Sequence, residues 1–449
     1  MGFTFTITQV MVIREFLVVF AGNELSTAII LANWLLLEAG GSLLIGKKVE
    51  GWGLKEGGYA FFQLLLSGLL PLTLYAIRAS RTFMGLAPGE GASLLQILFW
   101  TIPVLAPVGI IDGILFALGC ALHSKWTQRR AVSIGNVYLL EAVGAGIGGL
   151  LYTFLCIPFW NSFQTASLLG MANLISGVLL VSYSEGVKKW KWAFFSLWGT
   201  FLLANLLLFL PYGSRVIEKK SLDGLWPGFE ILESRWSPYG NVTVGRREGQ
   251  LTFFSNGVPV CNVPVPDVAF MEERVHYPLL LSPSPQNILV VGGAFGGVIH
   301  EILKHPVERV HYAEIDPLVI QFIGENLTPL TREELENPKV QVHPLDGRLF
   351  IRTTREKFDG ILLNLPPPST LELNRFYTVE FFREAFRLLG KDGLLALSLP
   401  GSETYLGPET RDLNLSILKS LQETFSSVAV IPGETNVIIA SPTKDLETL

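Results

Sequence analysis

Hydrophobic positions divide this chain into two regimes. Up to residue 213 they come in long unbroken runs; beyond it they come in short bursts punctuated by Gly, Pro and polar clusters. A run of about twenty apolar residues can cross the hydrocarbon core of a bilayer as a helix. Six such runs lie at 25–45, 59–77, 94–118, 138–157, 163–182 and 192–210. A weaker run at 3–20 carries Gln9, Arg14 and Glu15, and reads either as a spanning helix short of its first turns or as an interfacial helix. Pro103 and Pro107 are expected to kink the third strong helix. Gly144, Ala145, Gly146, Gly148 and Gly149 place small residues four apart, which suits close helix packing. Trp52, Trp126, Trp160, Trp190 and Tyr212 stand near run ends, as aromatic belts do.

The second regime begins with short alternating runs at 230–233, 241–247, 250–255 and 258–262, with Asn256-Gly257 as a hairpin turn. A helix is expected at 271–281. Strand and helix patterns then alternate: strands at 287–291, from 310, at 340–343, 359–363 and 394–399, with helices from 297 and 318 and at 379–388 and 411–424. Two strands close the chain. This alternation predicts a doubly wound, Rossmann-like α/β sheet. The expected organisation is an all-α transmembrane domain at 1–213, a linker at 214–228, a small β subdomain with its connecting helix at 229–285, and the α/β domain at 286–449.

Charge sharpens the division. The 449 residues are 49% hydrophobic and only 16% charged, well below the roughly 25% of soluble domains. Residues 1–213 hold 12 Lys and Arg against 9 Asp and Glu, leaving 22 against 30 for the remainder. The acidic second half has no basic stripe, which excludes nucleic acid as an expected partner. Cys120, Cys156 and Cys261 are too dispersed for a metal motif or a disulfide framework. No basic n-region or small-residue cleavage site opens the chain, so no cleavable signal is expected. Glu38, Asp112 and Glu141 fall inside apolar runs, which marks them either as functional or as acids that cap helix ends, snorkel, or pair with Arg14 or an Asn such as Asn33 or Asn136.

Orientation is less simple. Lys47, Lys48, Lys55, Lys125, Arg129, Arg130, Lys188, Lys189 and Lys191 collect on one side of the runs. Arg78, Arg81, Arg215, Lys219 and Lys220 collect on the other, with the second half of the chain. The positive-inside rule would place that half outside the cell, whereas a nucleoside ligand is supplied inside. The expected location is the cell membrane, multi-pass, with the cytoplasmic side narrowly preferred for the α/β domain.

The chemistry concentrates at 286–316. The apolar strand at 287–291 runs straight into Gly292, Gly293, Gly296 and Gly297, and a helix comes next. Glycines there permit a tight turn and close ligand approach, and the helix N-terminus offers free N–H groups. About 20 residues further on, Glu314 and Asp316 end the next strand, where an acid can accept hydrogen bonds from ribose hydroxyls. Sheets of this kind bind ligands at the carboxyl ends of their strands, which gathers the glycine turn, Glu314, Asp346 with Gly347, and Asn364 around one crevice.

From about Ser237 to Ala440 the chain resembles the spermidine/spermine synthase family, polyamine aminopropyltransferases on an S-adenosylmethionine-methyltransferase-like fold. Its helical half looks like the form in which half of a major-facilitator-type bundle precedes such a domain. The resemblance is carried by Ser237-Pro238-Tyr239 with Val242 and Val244, Ser255-Asn256-Gly257, Glu272 with His276-Tyr277-Pro278, the glycine turn, Glu314-Ile315-Asp316, Asp346-Gly347 and Phe358-Asp359. It implies that Glu314 holds the ribose of decarboxylated S-adenosylmethionine and that Asp346 meets the adenine amine. It also implies that the glycine turn approaches the sulfur-bearing chain, that Tyr239 and Asn364 stand at catalytic positions, and that no metal is used.

Four positions depart from the family pattern: Phe295 replaces the acid of its glycine loop, Asn364 its catalytic Asp, Pro367 the second acid of its D-x-x-D pair, and Gly240 a Gln. Glu272, Glu273 and Glu372 are the nearby acids that could substitute. The partners expected are a small-molecule amine or another acceptor and membrane lipid, with a homodimer left open. Three functions remain in view: a membrane-anchored aminopropyltransferase, an S-adenosylmethionine-dependent methyltransferase-like enzyme, or a non-catalytic sensor, assembly or transport-associated protein with a degenerate pocket.

Overall fold

The computed structural model describes residues 1–46, 56–128, 130–182 and 191–446. Trp52, Trp190, Lys47, Lys48, Lys55, Arg129, Lys188 and Lys189, which entered the belt and charge readings, lie outside the described residues. The chain forms two compact units, Met1–Thr243 with Ser255–Val258, and Val244–Phe254 with Pro259–Leu449.

The first unit is a helical bundle. Six described helices are long and apolar enough to cross a membrane: Gly2–Phe20, Glu24–Leu44, Glu56–Phe83, Leu94–Thr127, Val132–Phe159 and Ser162–Ser182. The weak run at 3–20 is thus a full helix of 19 residues. The strong run at 192–210 is the helix Lys191–Phe209, of 19 residues, and a second helix continues from it after a break. Phe195–Phe209 and Pro211–Leu225 meet at a bend of 78°. Pro211 is the cause: it lacks the N–H that would continue the first helix and holds Leu210 extended, at ψ 144, while itself opening the second helix. Most of the expected linker at 214–228 is therefore helix. Leu94–Thr127 runs on through Pro103 and Pro107 as one helix.

Small residues set the closest approaches in this bundle. A Cβ at Gly41 would clash with the Ile110 carbonyl, and one at Gly113 with the Glu38 carbonyl. Gly144 and Gly148 of the small-residue run face Phe3, where a Cβ would come within 3.0 and 2.7 Å of its backbone. Glu15 joins several helices of the bundle. It is buried and takes a two-pronged bond from Arg78, Nε–Oε2 2.8 Å and Nη2–Oε1 2.9 Å. Ser162 Oγ donates to Glu15 Oε1 at 2.5 Å, and Arg78 Nη1 donates to Ser221 Oγ at 2.9 Å. Four helices are tied at this point. The pairing expected for the intramembrane acids does not form through Arg14 or Asn33. Arg14 donates to the Ser237 carbonyl and stacks over Trp236, and Asn33 bonds Leu98 O and Thr101 Oγ1.

The second unit has a seven-stranded sheet ordered β10-β11-β9-β8-β5-β6-β7. Its strands are β5 Asn287–Val291, β6 Arg309–Ala313, β7 Val340–His343, β8 Phe358–Leu363, β9 Leu389–Pro400, β10 Ser427–Ile431 and β11 Thr435–Ser441. Strands β5 to β9 run parallel, and β11 and β10 close the sheet antiparallel. The chain order reverses between β5 and β8, which makes that boundary the switch point. Leu289, Ile361, Leu395, Phe381 and Phe382 pack within one core cluster that holds the carboxyl ends of the strands rigidly. Ahead of this sheet, β1 Glu230–Trp236, β2 Asn241–Arg247, β3 Gln250–Ser255 and β4 Val258–Val263 form the expected meander, in sequence order.

Removing one partner of a buried ion pair leaves an uncompensated charge and costs about 3–5 kcal/mol. Arg78→Ala is expected to lower the stability of the purified protein by about that amount. Denaturation in detergent checks it, and an unchanged midpoint would show that the Glu15 junction does not hold the bundle.

Candidate active site

The site grows from the turn after β5. Gly292 and Gly293 have φ of 74° and 51°, a region that residues with a Cβ avoid. A Cβ at Gly292 would also clash with Leu365. This tight turn brings the loop against the segment after β8, the neighbouring strand. Asn364 Nδ2 donates to the Gly293 carbonyl at 2.6 Å, and Asn364 N to the Val291 carbonyl at 3.1 Å. Gly296 and Gly297 also have positive φ, and they expose N–H groups at the start of the helix Val298–Leu303. Those N–H groups are satisfied from within the protein. Glu334 is fully buried and accepts from Gly296 N at 2.7 Å, Gly297 N at 2.8 Å and His300 N at 3.2 Å. It comes from the helix Pro329–Glu336, which Thr328 caps through the Thr331 N–H.

Glu314 comes directly after β6 and is buried. Its Oε2 accepts from Tyr312 OH at 2.6 Å and from Gly293 N at 3.4 Å, and its Oε1 from Asp316 N at 3.2 Å. A carboxylate has about four acceptor positions, so a share remains for a hydroxyl. Burial raises the Glu314 pKa, while the Tyr312 hydroxyl and the two backbone N–H groups draw it down. Asp346 caps the helix Gly347–Thr353 through Arg348 N and Leu349 N, and its Oδ2 meets Arg375 Nη1 at 2.5 Å. An adenine amine there would share Oδ2 with Arg375. Gly347 lets this helix start against β5, since a Cβ would clash with Val291.

On the other side of Asn364 stands Arg274, from the helix Val268–Leu281. Its Nη1 donates to Asn364 Oδ1 at 2.9 Å, and its guanidinium lies 3.6 Å over the Phe270 ring. Burial lowers its pKa to about 10, with Tyr377 pulling the other way. Tyr377 OH donates to the Pro366 carbonyl at 2.8 Å. Gly292, Gly293, Glu314 and Asn364 are therefore joined directly.

Tyr239 belongs to the other unit. It lies half exposed in the turn after β1, in the first unit, where its N–H donates to Ser237 Oγ at 3.0 Å. Phe295 is buried edge-on against Tyr312, ring centres 5.0 Å apart, so it supports the ring that holds Glu314. Of the acids that could replace the missing base, Glu272 groups with His276 and Glu301 within 4.8 Å. Glu301 in that group already meets Lys304 at 2.5 Å and His276 at 3.1 Å. Glu273 and Glu372 are exposed.

Sequence reasoning missed Glu334 and Arg274, whereas Asn374-Arg375-Phe376-Tyr377 after the proline turn stood out either as a helix-start connector or as part of an acceptor site. Thr328-Pro329 does signal the helix that carries Glu334, but nothing local shows where its carboxylate goes.

Comparison with known proteins points to one family. The model of the spermine/spermidine synthase domain matches residues 268–437. A polyamine aminopropyltransferase 2 of Aquifex aeolicus is 26% identical over 342 residues, 74% of this chain and 66% of that protein. A polyamine aminopropyltransferase of Leptospira interrogans is 27% identical over 375 residues, 79% of this chain and 74% of that protein. A spermidine synthase solved in complex with the transition state analogue AdoDATO aligns at a TM-score of 0.42 and 20% identity, over 49% of this chain and 75% of that one.

Burial pushes Glu334 up to about 7 from 4.5, against the pull of its three N–H donors. The folded protein then holds a proton that the unfolded chain has released, so stability from this group is complete below pH 4.5 and is lost as pH rises through 7. The unfolding midpoint of the wild type is expected to fall relative to that of Glu334→Gln across this window. Parallel curves would refute the shift.

Proposed function

We propose, from the match of residues 268–437 to the spermine/spermidine synthase domain, that this chain belongs to that family, that it transfers an aminopropyl group from decarboxylated S-adenosylmethionine to an amine, and that its helical bundle anchors it in a membrane. The observation that carries this reading is Glu314, a buried acid at the carboxyl end of β6, bonded to the glycine turn and with acceptor capacity to spare. In this reading Glu314 holds the ribose, Asp346 receives the adenine amine, and Gly292 and Gly293 lie along the sulfur-bearing chain.

Transfer forms a bond from the acceptor nitrogen to the propyl carbon and breaks the bond from that carbon to the sulfonium sulfur. The leaving group is the neutral thioether 5′-methylthioadenosine, and the nitrogen must lose a proton. Asn364 cannot take it, because an amide is no base, and its Oδ1 and Nδ2 are already committed to Arg274 and Gly293. The proton therefore goes to water. A second reading draws on the same amide: a domain that binds the donor without turnover. Release of methylthioadenosine separates the two.

We place the α/β unit on the cytoplasmic side by ligand supply, against the Lys/Arg count of the loops, because Glu314 and Asp346 keep the acids a nucleoside donor needs. A site fills only where its ligand is present near the dissociation constant, and the donor is expected inside. A reporter fused after residue 449 is expected to be cytoplasmic; an extracytoplasmic reporter would break this reading.

The purified protein should bind 5′-methylthioadenosine. Glu314→Ala removes hydrogen bonds to a charged acceptor, worth about 1.5–3 kcal/mol, and should weaken binding roughly ten- to a hundredfold. Calorimetry that finds no binding by the wild type would end the proposal.

A further inference from the structure

We infer that Arg274 selects the acceptor, and that the amine taken by this site carries a carboxylate at its far end. The inference rests on the aminopropyl-transfer reading above. Among the described residues, Arg274 is a cation held at the crevice without an anion. Its hydrogen bond goes to the neutral Asn364 Oδ1, its face to Phe270, and its buried Nε–H has no partner among the described residues. The bond from Asn364 Nδ2 to the Gly293 carbonyl fixes the amide so that its oxygen faces Arg274. Arg274 is thus positioned from one side, with its buried Nε–H left without a partner. A guanidinium has five N–H donors in a planar fork and no acceptor, which matches a carboxylate in two parallel bonds.

The acids around the crevice do not neutralise it. Glu314 is bonded to Tyr312, Gly293 and Asp316. Asp346 is paired with Arg375, and Glu272 lies beside His276 and Glu301, with no ion pair to Arg274. A diamine would bring a second cation against Arg274 with nothing to offset it. An amino acid of the same length brings the missing anion.

The acceptor nitrogen loses its proton to water before it attacks. Carbon–nitrogen bond formation and carbon–sulfur bond cleavage then proceed without a carboxylate base.

The test compares 4-aminobutanoate with 1,4-diaminobutane, which differ only at the far end. Methylthioadenosine release is measured with decarboxylated S-adenosylmethionine as donor, on the full-length protein. The wild type is expected to favour 4-aminobutanoate by about tenfold or more, the scale of one charge-assisted hydrogen bond. Arg274→Lys should keep the direction of that preference, and Arg274→Glu should reverse it. Binding of methylthioadenosine shows that each variant is folded. A wild type that prefers 1,4-diaminobutane, a preference that survives Arg274→Glu, or a donor-binding protein that uses neither acceptor would each overturn the inference. In all three cases the donor reading survives; failure to bind methylthioadenosine overturns that reading and the inference with it.

Discussion

A glycine turn frees backbone N–H groups, and buried N–H groups must be bonded. The α/β unit is arranged around that requirement. Two buried carboxylates answer it: Glu314 from the end of β6 bonds Gly293, and Glu334 bonds Gly296, Gly297 and His300. The two solutions differ in consequence. Glu314 keeps acceptor capacity facing a ligand, whereas Glu334 fills the helix N-terminus from inside. The end of the loop that would otherwise attract an anionic ligand group is already occupied by the protein's own acid.

The loop's hold on its neighbour comes from the strand order. β5 and β8 are adjacent at the switch point, so Gly293 and Asn364 are brought within one hydrogen bond. Asn364 then carries the geometry on to Arg274. An Asp at this position would pair with Arg274 as an ion pair and lose much of its basicity. Asn in that place is consistent with an arginine neighbour that has to stay available.

The helical unit solves a different problem. A charge inside an apolar bundle is tolerated only if paired and hydrogen-bonded. Glu15 and Arg78, with Ser162, Ser221 and Glu218, meet that condition at one junction of four helices. Glycines at 41, 113, 144 and 148 allow helix backbones to approach elsewhere in the bundle.

The apolar runs, the strand–turn–helix–acid pattern and the glycine turn were legible in the sequence, because each depends on local periodicity, length or backbone freedom. Most of the helices, the meander before the sheet, and Glu314 beside Gly293 all arise from such local terms. The bend at Pro211 was half legible: the proline was visible, but not that the next residues would resume as helix. The charge state of the crevice was not legible at all. Glu334 lies 38 residues from Gly296, and Arg274 lies 90 residues from Asn364. Whether a carboxylate faces a ligand, plugs a helix end or pairs with an arginine depends on which elements the sheet order sets side by side. That is a long-range property, and only the tertiary structure decides it.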